Sequence, residues 1–97
     1  MMAFIAKLVV KPEKAAEFEA LQIKLKQLTH EHEPDTLVYD LIRHRDAPNT
    51  YVVYSSFRDQ AAFDLHMASS FHDELVPPIL DCLAEEMDLQ FFEVLGA

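Results

Sequence analysis

The sequence has little glycine, little cysteine and no tryptophan. Its single glycine, Gly96, stands near the C-terminal end, so no glycine-rich loop is available to cradle a phosphate and nucleotide cofactors are disfavoured. Its single cysteine, Cys82, has no partner for an intramolecular disulfide. The apolar neighbours of this cysteine in ILDCLA predict a buried thiol in a reducing compartment.

Basic residues are also scarce. The chain carries 8 Lys and Arg against 17 Asp and Glu, which gives a formal net charge of −9. Such a surface repels a phosphate backbone, and no basic stripe offsets the repulsion, so we expect no nucleic-acid partner. The apolar N-terminal stretch MMAFIAKLVV is too short to cross a bilayer and lacks the basic segment and cleavage site of a signal peptide. We therefore expect a strand there, no membrane partner and a cytoplasmic location.

Apolar residues are plentiful, at 51% of the 97 residues. A chain of this length suits one compact domain, residues 1–97, and is too short for two independent cores. Its surface is large relative to its volume, so this much apolar content is hard to bury in a monomer. The composition therefore favours a homo-oligomer.

Hydrophobic periodicity predicts strands at 3–10, 36–44, 51–57 and 87–95 and helices at 13–30 and 71–83. Asp59 is a typical N-cap for a further short helix between the third strand and the last helix. Pro77 and Pro78 are expected to kink or split the last helix. The turn residues RDAPN at 45–49 predict a hairpin between the second and third strands.

This order of elements is βαββαβ, the α+β ferredoxin-like topology with an antiparallel sheet. Helices should cover one face of the sheet. The strands are apolar on both faces, and no chain remains to cover the second face. Two copies packed through their open sheet faces would bury it, so the sequence predicts a symmetric homodimer.

The stretch 51–72, YVVYSSFRDQAAFDLHMASSFH, carries the arrangement with a plausible chemical use. An aromatic strand leads into the short helix, where Ala62, Phe63, His66 and Met67 share one face. An imidazole therefore lies beside the apolar side of a helix. A histidine with a pKa near neutrality can act as a general base, so His66 is a candidate catalytic residue.

Three segments resemble the antibiotic biosynthesis monooxygenase family: VKPEKAAEFEAL, EPDTLVYDL and YSSFRDQAAFDLHMASS. The resemblance implies a dimeric α+β barrel. His66 stands at the family's histidine, and the aromatic positions of the family correspond to Tyr39, Tyr54 and Phe57. The chain departs from the family in having Asp35 where glycine is common and Phe57 where tryptophan is common. It also has Ser70-Phe71 where Pro-His is common, which places His72 one position later than the family's second histidine.

The resemblance implies a cofactor-independent monooxygenase that uses O₂ on a quinol-like or phenolic aromatic compound, with His66 as the base and no bound metal. An apolar pocket would shield the substrate anion from water. The side chains predicted to bind this small aromatic substrate are Tyr39, Tyr54, Phe57, Phe71 and His72. The HEHE segment, with His30 and His32, is only a weak metal signal because histidine is favourable at a helix C-terminus in any case.

Other interpretations remain open on the sequence. His66 is equally well explained as a helix histidine hydrogen-bonded to a backbone carbonyl. The family also contains haem-degrading relatives, sugar-phosphate isomerases and members without known activity, and a fold does not select among functions. The alternatives are therefore a non-catalytic dimer that binds a small ligand or responds to stress, and a haem protein with His66 or His72 as axial ligand.

Overall fold

The computed structural model describes residues 1–96 and is organised around one four-stranded antiparallel sheet. Its strands are β1 (Met2–Val9), β2 (Thr36–Arg43), β3 (Thr50–Phe57) and β4 (Asp88–Glu93), in the spatial order β2-β3-β1-β4. All three pairings between neighbouring strands are antiparallel. The last residue of the predicted domain, Ala97, lies outside the described residues.

Three α-helices complete the fold: α1 (Ala15–His32), α2 (Gln60–Ala68) and α3 (Ser70–Asp81). A short 3₁₀ turn, Pro12–Lys14, leads into α1. The order of the elements confirms the predicted α+β ferredoxin-like topology, with a second helix that is divided into α2 and α3. Within residues 1–96, no helix combines the length and the apolar character that a bilayer crossing requires.

Alternation along β1 distinguishes the two faces of the sheet. Phe4, Ala6 and Leu8 are buried beneath the helices, whereas Ile5 and Lys7 point the other way and are exposed. Period-two alternation and the strand register extend this pattern across the sheet. We call the face opposite the helices the open face. Its side chains include Ile5, Lys7, Val38, Asp40, Ile42, Val52, Tyr54, Gln90 and Phe92.

Helix α3 continues through both of its prolines. Of the two effects predicted for Pro77 and Pro78, a kink or a split, the split is therefore wrong. A proline lacks the N–H that would bond to the carbonyl four residues earlier, which here belongs to Asp73 or Glu74. Both of these residues are exposed, so water can replace the lost hydrogen bonds. Leu75 and Ile79 of this continuous helix are buried in the core.

Helix α1 presents a buried stripe of mixed chemistry to the sheet. Phe18, Gln22, Leu25 and Thr29 are its four buried residues, spaced four, three and four apart, which is one face of a helix. Phe18 packs against the ring of Tyr51, with the ring centroids 4.7 Å apart. The two polar members of the stripe are unusual because buried polar groups ordinarily have hydrogen-bond partners.

Candidate functional site

A cavity of about 160 Å³ lies between the inner face of the sheet and the three helices. It reaches the edge strand β4, where Leu89 and Phe91 line it and are themselves partly exposed. Most of the lining is aliphatic or aromatic. The lining side chains with nitrogen or oxygen hydrogen-bonding groups are Gln22, Tyr39, His66 and His72. This combination of an apolar wall and a few polar groups is typical of small-molecule sites.

The cap at the start of α2 fixes the position of His66. Asp59 accepts the backbone N–H of Ala62 through Oδ1 at 2.9 Å, as the sequence predicted. The same helix then directs Ala62 and His66 into the core. His66 is 1% exposed, and its ring forms part of the cavity wall.

Ser69 joins α2 to α3 and brings a second histidine to the site. Its hydroxyl donates to the backbone carbonyl of His66 at 2.9 Å. The same Oγ accepts the backbone N–H of His72 at 3.3 Å as the N-cap of α3. The two imidazole rings consequently meet edge to face, with centroids 4.9 Å apart. Both rings line the cavity.

A buried carboxylate partners His66. Glu33 ends α1, and its Oε1 lies 2.9 Å from His66 Nδ1. The same oxygen accepts a hydrogen bond from Thr36 Oγ1 at 3.0 Å. Glu33 is 4% exposed, so the imidazole–carboxylate pair is almost fully removed from water.

Burial shifts both members of this pair toward their neutral forms. Desolvation lowers the pKa of His66 to about 4. Desolvation also raises the pKa of Glu33, while the Thr36 hydrogen bond and the nearby His72 act in the opposite direction. His66 is therefore neutral at pH 7. With Glu33 ionised, Nδ1–H donates to the carboxylate, and Nε2 is the ring nitrogen left with a lone pair for the cavity.

Tyr39 and His72 complete the polar part of the wall. The Tyr39 ring lies 5.3 Å from the His66 ring, and burial together with the charge of Glu33 raises the pKa of its phenol. The hydroxyl therefore stays protonated and can donate a hydrogen bond. The pKa of His72 is lowered, chiefly by burial and also by the nearby His66, so His72 adds no positive charge to the cavity at pH 7.

The structure does not bring all the predicted substrate-binding residues to the cavity. Phe57 is fully buried, and its ring centroid lies 5.4 Å from that of His66. It therefore contacts the imidazole but does not line the cavity. Phe71 lies at the start of α3, and its ring packs on that of His32 at 5.8 Å. Tyr54 lies on the open face opposite Ile5, because it alternates with the inward-facing residues of β3.

The residues that the sequence analysis missed are Glu33 and Gln22. Glu33 precedes Pro34, and the residue before a proline is a common helix boundary, so the sequence marks Glu33 only as a helix end. Gln22 lies among the apolar residues of α1 and carries no functional motif. Its spacing to Phe18 and Leu25 would have placed it on the buried stripe. No local signal in the sequence pairs Glu33 with His66, since the two residues are 33 positions apart.

Comparison with known proteins gives a family and a shared fold. The family model described as antibiotic biosynthesis monooxygenase matches residues 1–77. A proposed antibiotic biosynthesis monooxygenase from Caulobacter crescentus CB15 superposes with a TM-score of 0.94 at 24% identity, covering 98% of this chain and 90% of that chain. No curated protein matches the chain.

Two further crystal structures are similar over almost the same span. One, described as an antibiotic biosynthesis monooxygenase, has a TM-score of 0.89 at 28% identity, with 99% of this chain and 100% of that chain covered. The other, a conserved protein from Methanosarcina mazei Go1, has a TM-score of 0.89 at 26% identity, with 95% and 90% covered. The match therefore includes β4, which lies beyond residue 77.

Proposed function

The chain belongs to the antibiotic biosynthesis monooxygenase family, and from this premise we propose that it is a cofactor-independent monooxygenase of phenolic or quinol-like rings. With 1,4-dihydroxybenzene as an example, O₂ and the ring compound would give 2-hydroxy-1,4-benzoquinone and water. One oxygen atom replaces a ring hydrogen, and the other leaves as water. The four electrons that reduce O₂ come from the substrate, so the balance requires no external reductant.

The observation that carries this proposal is the buried Glu33–His66 pair at the wall of an apolar cavity. In the proposed reaction, Nε2 of His66 removes a phenolic proton, and the resulting anion is rich enough in electrons to react with O₂. The Glu33 carboxylate stabilises the imidazolium that forms and holds the ring orientation, as an acidic partner does in other histidine-based sites. The apolar lining keeps water away from the reactive intermediates.

The size of the cavity favours one aromatic ring over a polycyclic system. An apolar cavity of about 150 Å³ in another protein takes up benzene, and the volume here is about 160 Å³. The same argument disfavours haem, because a tetrapyrrole of four linked rings exceeds this space.

We further propose that residues 1–97 form one domain that assembles as a homodimer through the open face. That face carries partly exposed apolar side chains, with Ile5 at 43%, Ile42 at 48% and Phe92 at 43%. Exposed apolar side chains that cluster on one face and are flanked by polar ones are typical of interaction sites. A second copy of the sheet would cover it.

Oxygen consumption with a panel of quinols and phenols tests the proposed activity. We expect the native protein to consume O₂ and His66→Ala to be slower by at least about a hundredfold, because a general base contributes roughly 10²–10⁴. His30→Ala, which changes an exposed histidine of α1, is the matched control and should retain the native rate. Equal rates for the native protein and His66→Ala would remove His66 from the mechanism. No uptake by the native protein would favour the non-catalytic ligand-binding alternative.

A further inference from the structure

The carboxamide of Gln22 is buried in the cavity wall without a partner. Gln22 is 5% exposed and lines the cavity. Its Oε1 is fully buried and has no hydrogen-bond partner among residues 1–96. Its place on the buried stripe of α1, four residues after Phe18 and three before Leu25, directs the side chain toward the sheet.

An unpaired amide in such a position destabilises the fold. Burying an amide without a hydrogen bond is unfavourable, whereas an apolar side chain of similar shape would fill the same space without that loss. Buried polar groups that lack a protein partner require an explanation of their own. A ligand hydroxyl in the cavity would donate the missing hydrogen bond to Oε1.

Gln22 lies in the middle of α1, whereas Glu33 is the C-cap of the same helix. Gln22 precedes Glu33 by 11 positions, or about three helical turns, so the Gln22 amide and the Glu33–His66 pair reach the cavity from separate places along α1. Most of the remaining lining is apolar and includes Leu25, Phe4 and Val53.

We propose that Gln22 determines substrate specificity by binding a second oxygen of the ligand, at the end of the ring remote from His66. The substrate class is then a single aromatic ring with oxygens in para positions. An amide suits both states of such a ring, because Oε1 accepts from the hydroxyl of a quinol and Nε2–H donates to the carbonyl of a quinone. The placement of the first ligand oxygen at His66 rests on the proposed function, whereas the binding of a ligand oxygen by Gln22 does not.

Binding of two matched probes tests this assignment. The probes are 1,4-dihydroxybenzene and 4-methylphenol, which have similar size and shape and differ only in the second hydroxyl. Dissociation constants are measured by calorimetric titration under anaerobic conditions, so that no turnover occurs. The proteins are the native chain, Gln22→Met, Gln22→Leu and the control Gln27→Met, which changes an exposed glutamine on the same helix.

We expect the preference for 1,4-dihydroxybenzene over 4-methylphenol to fall by about tenfold in Gln22→Met and Gln22→Leu, as for the loss of one hydrogen bond. Gln27→Met should keep the native ratio. The unfolding temperature of Gln22→Met should equal or exceed that of the native protein, since an unpaired buried amide is removed.

Three results would overturn the assignment. The first is an unchanged ratio of the two dissociation constants in both Gln22 variants. The second is a native protein that binds neither probe at millimolar concentration. The third is loss of the fold in both variants, which would show that Gln22 has a structural partner. A protein that discriminates between the probes as expected but consumes no O₂ would contradict the monooxygenase proposal and leave the role of Gln22 intact.

Discussion

At the scale of single residues, the surroundings of His66 set both its charge and its tautomer. Desolvation lowers the pKa of the ring to about 4, and an ionised Glu33, whose Oε1 lies 2.9 Å from Nδ1, places the ring proton on Nδ1. A neutral imidazole with a free Nε2 can accept a proton from a ligand. At pH 7 the residue is therefore held neutral, with a lone pair on Nε2, which is the form in which a base takes up a proton.

The depressed pKa of His66 predicts a loss of stability in mild acid. The folded pKa is about 4 and the ordinary value is 6.5, so between these values the unfolded chain binds more protons than the folded protein. The contribution of neutral His66 to the free energy of unfolding is present above pH 6.5 and is lost as the pH falls toward 4. From pH 7 to pH 5 we expect this residue alone to lower the free energy of unfolding by about 2 kcal/mol.

Urea unfolding of the native protein and of His66→Gln at both pH values measures this contribution. The raised pKa of Glu33 acts in the opposite direction, which is why the two proteins are compared and not the native protein alone. The loss between pH 7 and pH 5 should be larger in the native protein than in His66→Gln. His30→Gln serves as the control and should follow the native curve. An identical loss in native protein and His66→Gln would mean that His66 is not buried in its neutral form.

Only some of the residues that form the site can be predicted from the sequence. The sequence predicts His66, Tyr39 and His72 as site residues, and all three line the cavity. It also predicts Tyr54 and Phe57, yet residues three apart on a strand point to opposite faces, so strand alternation excludes one of the two. Glu33 required knowledge of a tertiary contact, since only the fold brings the end of α1 beside α2.

At the scale of secondary-structure elements, the helix caps help to fix the positions of His66 and His72. Asp59 is the N-cap of α2. Ser69 donates a hydrogen bond to the His66 carbonyl in the last turn of α2 and is also the N-cap of α3. The two histidines are therefore placed by hydrogen bonds at helix ends as well as by core packing. Because caps are short local motifs, the sequence could predict Asp59 as the start of α2. The uninterrupted path of α3 through Pro77 and Pro78 depended instead on where solvent reaches the helix, which the sequence pattern does not show.

Removal of the α2 cap should destabilise the protein measurably. Asp59→Ala deletes the acceptor of the Ala62 N–H, and loss of an N-cap costs about 1 kcal/mol. Denaturant unfolding at pH 7 measures the change. Asp64→Ala is the matched control, because it removes only an exposed hydrogen bond to Gln60 within the same helix, a contact of about 0.2–0.5 kcal/mol. Equal effects of the two substitutions would argue against a structural role for the cap.

At the scale of the whole molecule, the open face of the sheet carries apolar side chains that the helices leave exposed. The sequence predicts such an exposed apolar face, because its strands are apolar on both sides and its helices can cover only one face of the sheet. In the structure, Ile5 and Ile42 on the open face are both over 40% exposed. Strand β4 is exposed along its entire length, Asp88–Glu93, and a partner that covers the open face would also reduce the exposure of Phe92.

A charge on the open face should dissociate the proposed homodimer. Ile5→Asp introduces a carboxylate at the centre of the face, on β1 between β3 and β4. We expect the native protein to sediment as a dimer and Ile5→Asp as a folded monomer in analytical ultracentrifugation, since an unpaired charge in an interface is unfavourable. Ile23→Asp is the control: Ile23 is similarly exposed at 46% but lies on α1. A native monomer at micromolar concentration would contradict the assembly.

The most direct test of the central claim is the nitrogen NMR spectrum of the His66 ring in ¹⁵N-histidine-labelled protein at pH 7, with and without 4-methylphenol. His66→Gln identifies the signals. We predict a neutral ring protonated at Nδ1, with the unprotonated Nε2 resonance shifting when the phenol binds. A ring protonated at Nε2, or a spectrum that saturating phenol leaves unchanged, would contradict the claim that His66 offers a free nitrogen to an aromatic ligand.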